Sequence, residues 1–101
     1  MEVLIMEKFK PTYILDRFKQ SKFSITRTAT KTAAALGLDS TDIRNIVGTM
    51  EPSMFYKSMT SYADNHIWQD VYHVPWNDHL LYVKFTEDMI SEFLLLSFKD
   101  K

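Results

Sequence analysis

Leu80-Leu81-Tyr82-Val83-Lys84-Phe85-Thr86 decides the fold. Leu81, Val83 and Phe85 alternate with Tyr82 and Lys84, the period of two that a strand with one buried face requires. The neighbouring sequence behaves alike. Residues 55–60, 67–72 and 93–99 also read as strands. Ala63-Asp64-Asn65, Pro75-Trp76-Asn77-Asp78 and Thr86-Glu87-Asp88 supply turn chemistry between them. Connections this short join successive strands as hairpins, so the sheet is mainly antiparallel. In the last strand Leu94, Leu96 and Phe98 alternate with Phe93, Leu95, Ser97 and Lys99. The first set is expected to face the core.

Before Pro52 the period is nearer 3.6. Residues 7–10 suit a short edge strand stopped by Pro11. Thr12 is the expected N-cap of a first helix, with Tyr13, Ile14 and Phe18 at helical spacing. Residues 23–25 alternate as a short strand. Thr26 then caps a second helix running to residue 36, with Gly37 as its C′ residue. Ser40 is the expected cap of a third helix over 41–47, with Ile43, Ile46 and Val47 on one side and Gly48 at its end. Helices followed by strands predict an α+β fold, with three helices packed on one face of the sheet. The other face is free for function.

The totals bound the function. A chain of 101 residues is expected to form one domain, 1–101. An apolar share of 46% and an aromatic share of 14% fit a packed core, not disorder. Cysteine is absent, which excludes disulfides and thiolate metal sites and agrees with a reducing compartment. No stretch approaches the roughly 20 apolar residues that cross a bilayer. The run Val3-Leu4-Ile5-Met6 is too short for a signal-sequence core. The cytoplasm is therefore expected.

Net charge is −1, but it is unevenly spread. Residues 8–31 hold seven bases against the single acid Asp16, whereas 61–101 hold three bases and seven acids. A basic front half of this kind can steer a phosphate backbone or simply form a solvated helix face.

No metal box is present. His66, His73 and His79 lack i, i+4 spacing, and His73 with Asp78 and His79 is the nearest approach to a ligand set. Phosphate-cradling glycine motifs are absent, so no cofactor is expected. Lys57, Gln69, Tyr82 and Lys99, in contrast, each fall on a different strand, where polar side chains can converge on the open face. These types suffice for metal-free RNA cleavage. Ammonium groups stabilise the charge growing on the phosphate, and a phenol or a lysine of lowered pKa can move protons. Pattern alone favours the plainer reading, in which Lys57 and Lys99 are ordinary surface lysines and Tyr82 caps the sheet edge.

The residues of Phe55-Tyr56-Lys57-Ser58-Met59-Thr60-Ser61-Tyr62-Ala63-Asp64-Asn65-His66-Ile67-Trp68-Gln69-Asp70-Val71-Tyr72 narrow the choice. This segment closely resembles the signature of the motility quorum-sensing regulator (MqsR) toxins. Leu81-Tyr82-Val83-Lys84, Ser97-Phe98-Lys99, Thr26-Arg27-Thr28-Ala29 and Ala35-Leu36-Gly37-Leu38-Asp39 extend the similarity from about Met6 to Lys101. The resemblance implies a RelE-like α+β fold and a metal-independent, ribosome-independent mRNA interferase of a bacterial type II toxin–antitoxin module. It implies a stress-response role and cleavage of single-stranded mRNA at short GC-containing sites. It also implies silencing by a cognate antitoxin, through which operator DNA could join the complex. The family's catalytic Lys, Gln and Tyr are matched by Lys57, Gln69 and Tyr82, and Lys99 matches a further implicated lysine. Tyr56, Tyr72, His73 and Lys84 are candidate RNA contacts.

The sequence departs from the family in four places. His73-Val74-Pro75 stands where Arg-Pro is usual, removing a cation beside the site. The hairpin after Lys84 is about two residues longer and carries Glu87, Asp88 and Glu92. The chain is less basic than its family, and residues 1–5 extend the usual N-terminus.

Two rivals remain. Ala33, Leu36, Gly37, Leu38, Ile43 and Ile46 sit at helix-turn-helix spacing, although the would-be recognition helix offers only Arg44 behind Asp39 and Asp42. A catalytically inactive antitoxin-binding module would keep the partner surface alone.

Overall fold

The computed structural model describes residues 4–64 and 66–101. Residues 1–3 of the expected N-terminal extension lie outside that description, as does Asn65 of the first expected turn. The chain runs β1 (Glu7–Lys8), α1 (Leu15–Gln20), β2 (Ser24–Ile25), α2 (Arg27–Ala35), α3 (Ser40–Val47), a 3-10 turn at Pro52–Met54, β3 (Phe55–Thr60), β4 (Trp68–Trp76), β5 (His79–Asp88) and β6 (Glu92–Asp100). The architecture is α+β around one six-stranded sheet of order β1-β3-β4-β5-β6-β2. Four pairings are antiparallel and β2 runs parallel to β6, so the sheet is mixed.

One core joins the helices to the sheet. Leu15 and Phe18 of α1, Ala29 and Ala33 of α2, and Ile43, Ile46 and Val47 of α3 cluster with Tyr72, Val74, Leu81, Val83, Phe85, Phe93, Leu95 and Phe98. Phe18 stacks on Phe85 with ring centroids 3.8 Å apart. The sheet members of this cluster alternate with Val71, His73, Tyr82, Lys84, Ser97 and Lys99. Alternation therefore sends the polar set to the opposite face.

Several expected boundaries move, each for a local reason. Thr12 does not cap α1. Its backbone N–H and that of Tyr13 donate to the buried Asp70 carboxylate at 2.9–3.1 Å, and its hydroxyl bonds Ser58 at 2.8 Å. The helix begins three residues later, with Ile14 at the cap and no side-chain cap bond. Thr26 does cap α2 by accepting from the Ala29 N–H, and Gly37 takes the expected left-handed conformation at φ 78°. Asp39, not Ser40, caps α3. Asp39 accepts from the Asp42 N–H while the Asp42 carboxylate accepts from the Asp39 N–H, a capping box that a serine at the next position cannot complete.

Strand lengths also differ. β4 does not end near Tyr72 but continues to Trp76, and the turn to β5 tightens to Asn77-Asp78, with Asn77 at φ 51°. A positive φ at this position suits a two-residue hairpin loop. Thr86-Glu87-Asp88 is strand rather than turn. The connection lies at residues 89–91, where the Asp88 carboxylate accepts from the Ile90 and Ser91 N–H groups and the Ser91 hydroxyl.

The alternation expected for β6 is interrupted. Lys84 pairs Ser97 and Phe85 pairs Leu95, which leaves Leu96 as an extra residue. This bulge reverses the facing of the first half of the strand. Phe93 and Leu95 are consequently buried, while Leu94 and Leu96 are partly exposed.

Candidate active site

Strand register gathers the candidate residues into rungs across the open face. His73 of β4 pairs Tyr82 of β5, which pairs Lys99 of β6. Tyr56 joins this rung from β3: the register shift between Phe55 and Lys57 frees it from the ladder, and its ring stacks on His73 at 4.2 Å. The next rung is Lys57, Val71, Lys84 and Ser97. The third pairs Glu7 with Met59 and Met59 with Gln69.

Lys57, Tyr82 and Lys99 thus share a face and lie within adjoining rungs. The Lys57 ammonium lies 5.3 Å from the Tyr56 ring and the Lys99 ammonium 5.3 Å from the Tyr82 ring. Gln69 shares the face but stands four residues along β4 from His73, about 13 Å at strand rise. It stands two rungs from the Tyr56–His73–Tyr82–Lys99 cluster.

Glu7 is a member the sequence did not reveal. Its carboxylate accepts a hydrogen bond from the Lys57 ammonium. The two residues lie 50 positions apart and meet only because β1 pairs β3, so no local signal could have joined them. This contact raises the Lys57 pKa, against a smaller opposing effect of burial. The lowered-pKa lysine considered from sequence is therefore not Lys57, which is held as a cation. Lys84 shifts the other way: burial, and then the nearby Lys99 ammonium, lower its pKa.

Burial also raises the Tyr82 pKa, partly countered by the Lys57 charge, so the phenol is held protonated. Burial lowers the His73 pKa, and Lys101 lowers it further. The imidazole is thereby held neutral, and its buried Nε2 has no hydrogen-bond partner among the described residues.

Tyr72, a candidate RNA contact, is turned away from this face. It shares parity with Asp70 and Val74, faces the core at 1% exposure and packs against Phe55 and Phe85. Burial, followed by the charge of Asp70, pushes its phenol up to about 12. Among the described residues no group of three or more His, Cys, Asp or Glu is placed to hold a metal ion.

Three bases of the front half are engaged elsewhere than on this face. Lys8 lies over the Trp68 ring at 4.3 Å, Arg17 pairs with Glu92, and Lys19 donates to the Met50 carbonyl. Arg44, the base of the would-be recognition helix, lies over the Phe23 ring and donates to the Phe23 carbonyl. No helix is long and apolar enough to cross a membrane.

The face carries the side chains of Lys57, Lys84 and Lys99, a phenol held protonated and an imidazole held neutral. Comparison with known proteins agrees with the similarity seen in residues 55–72. The profile of the family described as motility quorum-sensing regulator, toxin of MqsA, matches residues 10–100. The mRNA interferase toxin MqsR of Escherichia coli (strain K12) is 39% identical over 100 residues, covering 95% of this chain and 100% of that protein. The chain belongs to the motility quorum-sensing regulator toxin family.

Proposed function

We propose that the chain is a metal-independent endoribonuclease, an mRNA interferase serving as the toxin of a bacterial type II toxin–antitoxin module. The observation supporting it best is the shared open face of Lys57, Gln69, Tyr82 and Lys99. Lys57 and Lys99 hold phosphate oxygens, and Lys57 stabilises the charge that grows on them as the 2′-hydroxyl attacks. Tyr82 donates its proton to the departing 5′ oxygen. Gln69 hydrogen-bonds the RNA two rungs further along the face. Tyr56, half-exposed and stacked on His73, offers a platform for a base, with Lys84 beneath the backbone.

The family relationship supports extending this reading to cleavage of single-stranded mRNA at short GC-containing sites, without the ribosome and in the cytoplasm, and to inhibition by a cognate antitoxin, operator binding through that antitoxin and a role in stress responses. The fold is assigned to the RelE-like type, with three helices on one sheet face and residues 1–101 acting as a single toxin domain.

The test is cleavage of single-stranded RNA in the presence of a chelator. Lys57→Ala should lower the rate by about 100- to 1,000-fold, the loss typical of removing one charge-stabilising donor. Wild-type rates in that variant would remove Lys57 from the mechanism. Loss of cleavage in chelator would remove metal independence. A protein that cuts no RNA yet binds its antitoxin would be the inactive module. A DNA-reading role is disfavoured by the engagement of Arg44 with Phe23.

A further inference from the structure

Two lateral edges bound the open face, and they differ in charge. At one, β1 lies beside β3 and brings the Glu7 carboxylate to Lys57. At the other, α2 runs along β6. The Thr32 hydroxyl donates to the Phe98 carbonyl at 2.5 Å, and the Thr26 hydroxyl to the Leu96 carbonyl at 3.2 Å. Two outward carbonyls of the β6 edge are thus covered by threonines. The helix is held directly beside Ser97 and Lys99, which stand on the open face.

These bonds fix the rotation of α2. Ala29 and Ala33 are buried in the core, and Thr32 is turned to the edge of β6. At about 100° per residue, Thr28 and Ala35 come next round the helix away from the core, followed by Lys31 and then Arg27. All four are exposed. Arg27 and Lys31 are four positions apart, so they stand one turn apart on the same side. The helix, Arg-Thr-Ala-Thr-Lys-Thr-Ala-Ala-Ala, contains no acid. Neither base enters an ion pair among the described residues. The nearest acids in sequence are committed. Asp39 and Asp42, beyond the end of α2, accept each other's backbone N–H groups, and Asp100 of β6 pairs with His79.

Resting on the nuclease assignment above, we propose that the outer side of α2 is a binding surface for the RNA backbone. Arg27 and Lys31 receive phosphates of the strand after it passes Lys99 and crosses the edge of β6. Three observations favour this occupant. The surface is cationic and continues the line of Lys84 and Lys99 across paired strands. Its other exposed side chains, Thr28, Thr30, Ala34 and Ala35, are small, so a backbone can come close. The remaining exits from the face are acidic: Glu7 stands at the β1 edge, Glu87, Asp88 and Glu92 at the β5–β6 hairpin, and Asp78 at the β4–β5 hairpin. A single strand can bend from the sheet face on to the helix. A duplex, stiff over about 150 base pairs, cannot.

The test measures binding of a single-stranded 2′-O-methyl RNA, which lacks the attacking hydroxyl, between about 50 and 200 mM salt. Cleavage of the unmodified RNA is followed in parallel. Wild type is compared with Arg27→Gln/Lys31→Gln and with Arg17→Gln/Lys19→Gln. The second pair removes equal charge from α1, where the two side chains serve Glu92 and the Met50 carbonyl. Each phosphate contact to a single strand contributes about 0.7 to the slope of log affinity against log salt, so the α2 pair should lower that slope by about 1.4. The α1 pair should leave it unchanged. KM should rise in the α2 variant while kcat and its pH profile stay in place, because neither base touches a reacting atom. Arg27→Lys/Lys31→Arg should restore the slope. The inference is overturned by a wild-type slope in the α2 variant, by an equal loss in both double variants, or by a fall in kcat with KM unchanged. Wild-type protein that neither binds nor cuts RNA would refute the nuclease assignment itself, whereas cleavage with an unaltered slope in the α2 variant would refute the surface alone.

Discussion

Replacing Asp70 by alanine should unfasten the front of the molecule from the sheet. Asp70 is fully buried, and its carboxylate accepts the backbone N–H of Thr12 with both oxygens and that of Tyr13 with one. Alanine leaves two donors without an acceptor. A hydrogen bond to a charged group is worth about 1.5–3 kcal/mol, so an upper bound is about 3–6 kcal/mol. Thr12 and Tyr13 keep partial solvent contact, and water recovers some of that loss. A destabilisation of about 2–4 kcal/mol is expected, or roughly 10–25 °C in Tm for a chain of this length. Asp70→Asn keeps one acceptor oxygen and should fall between alanine and wild type. Urea denaturation at neutral pH measures both, with an unchanged m-value showing that the midpoint shift reports stability. A shift under about 0.5 kcal/mol in Asp70→Ala, the range of an ordinary surface substitution, would refute the account. Asparagine as damaging as alanine would also refute it, because the hydrogen bonds would not then be the cause.

Glu7→Gln should move the alkaline limb of cleavage to lower pH. Glu7 raises the Lys57 pKa, and the active form is the ammonium, so removing the carboxylate lets the proton leave sooner. A limb that stays in place would detach Lys57 from that titration. Tyr82→Phe keeps the ring over which Lys99 lies and removes only the proton, so activity should drop by about 100- to 10,000-fold with stability little changed. Full activity in that variant would exclude the phenol as proton donor. Phe18→Ala removes the ring stacked on Phe85 and packed against Phe23 and should cost about 3–5 kcal/mol in denaturation, whereas a cost near zero would mean that the core collapses around the gap.

The strand block is legible because its signal is local. β3 falls on 55–60 as its alternation indicates, and Leu81, Val83 and Phe85 face the core while Tyr82 and Lys84 do not. What escapes is whatever depends on a partner distant in sequence. Thr12 loses its capping role to a carboxylate 58 residues away. β2 has only two residues and gains its place by lying parallel to β6, which no hairpin rule can anticipate. The bulge at Leu96 is invisible among Leu94, Leu95 and Leu96, since three identical residues carry no alternation. The site divides in the same way. Parity alone places Lys57, Tyr82 and Lys99 on one face, while Tyr72 is excluded by the parity it shares with Val74. The pairing of Glu7 with Lys57 and the stacking of Tyr56 on His73 need the assembled register.

The near-zero net charge and the cationic face are reconciled by the same geometry. On a strand, a charge acts on the side its parity selects, and successive residues act on opposite sides. Lys57, Lys84 and Lys99 occupy the open face. Asp70, one residue from Val71 on that face, points into the helical side and is engaged by Thr12 and Tyr13. Asp88 is engaged by its own hairpin turn, and Asp100 pairs with His79 at 3.2 Å. Glu92 meets Arg17 on the side chains' exposed surface. Of these described acids none opposes the lysines of the rungs, and Glu7, which does reach the face, is bonded to Lys57. The local field is therefore set by register and not by the total. A polyanion on this side would meet Lys84 and Lys99 directly and Lys57 with its charge shared with Glu7, so a near-neutral total does not preclude a cationic face.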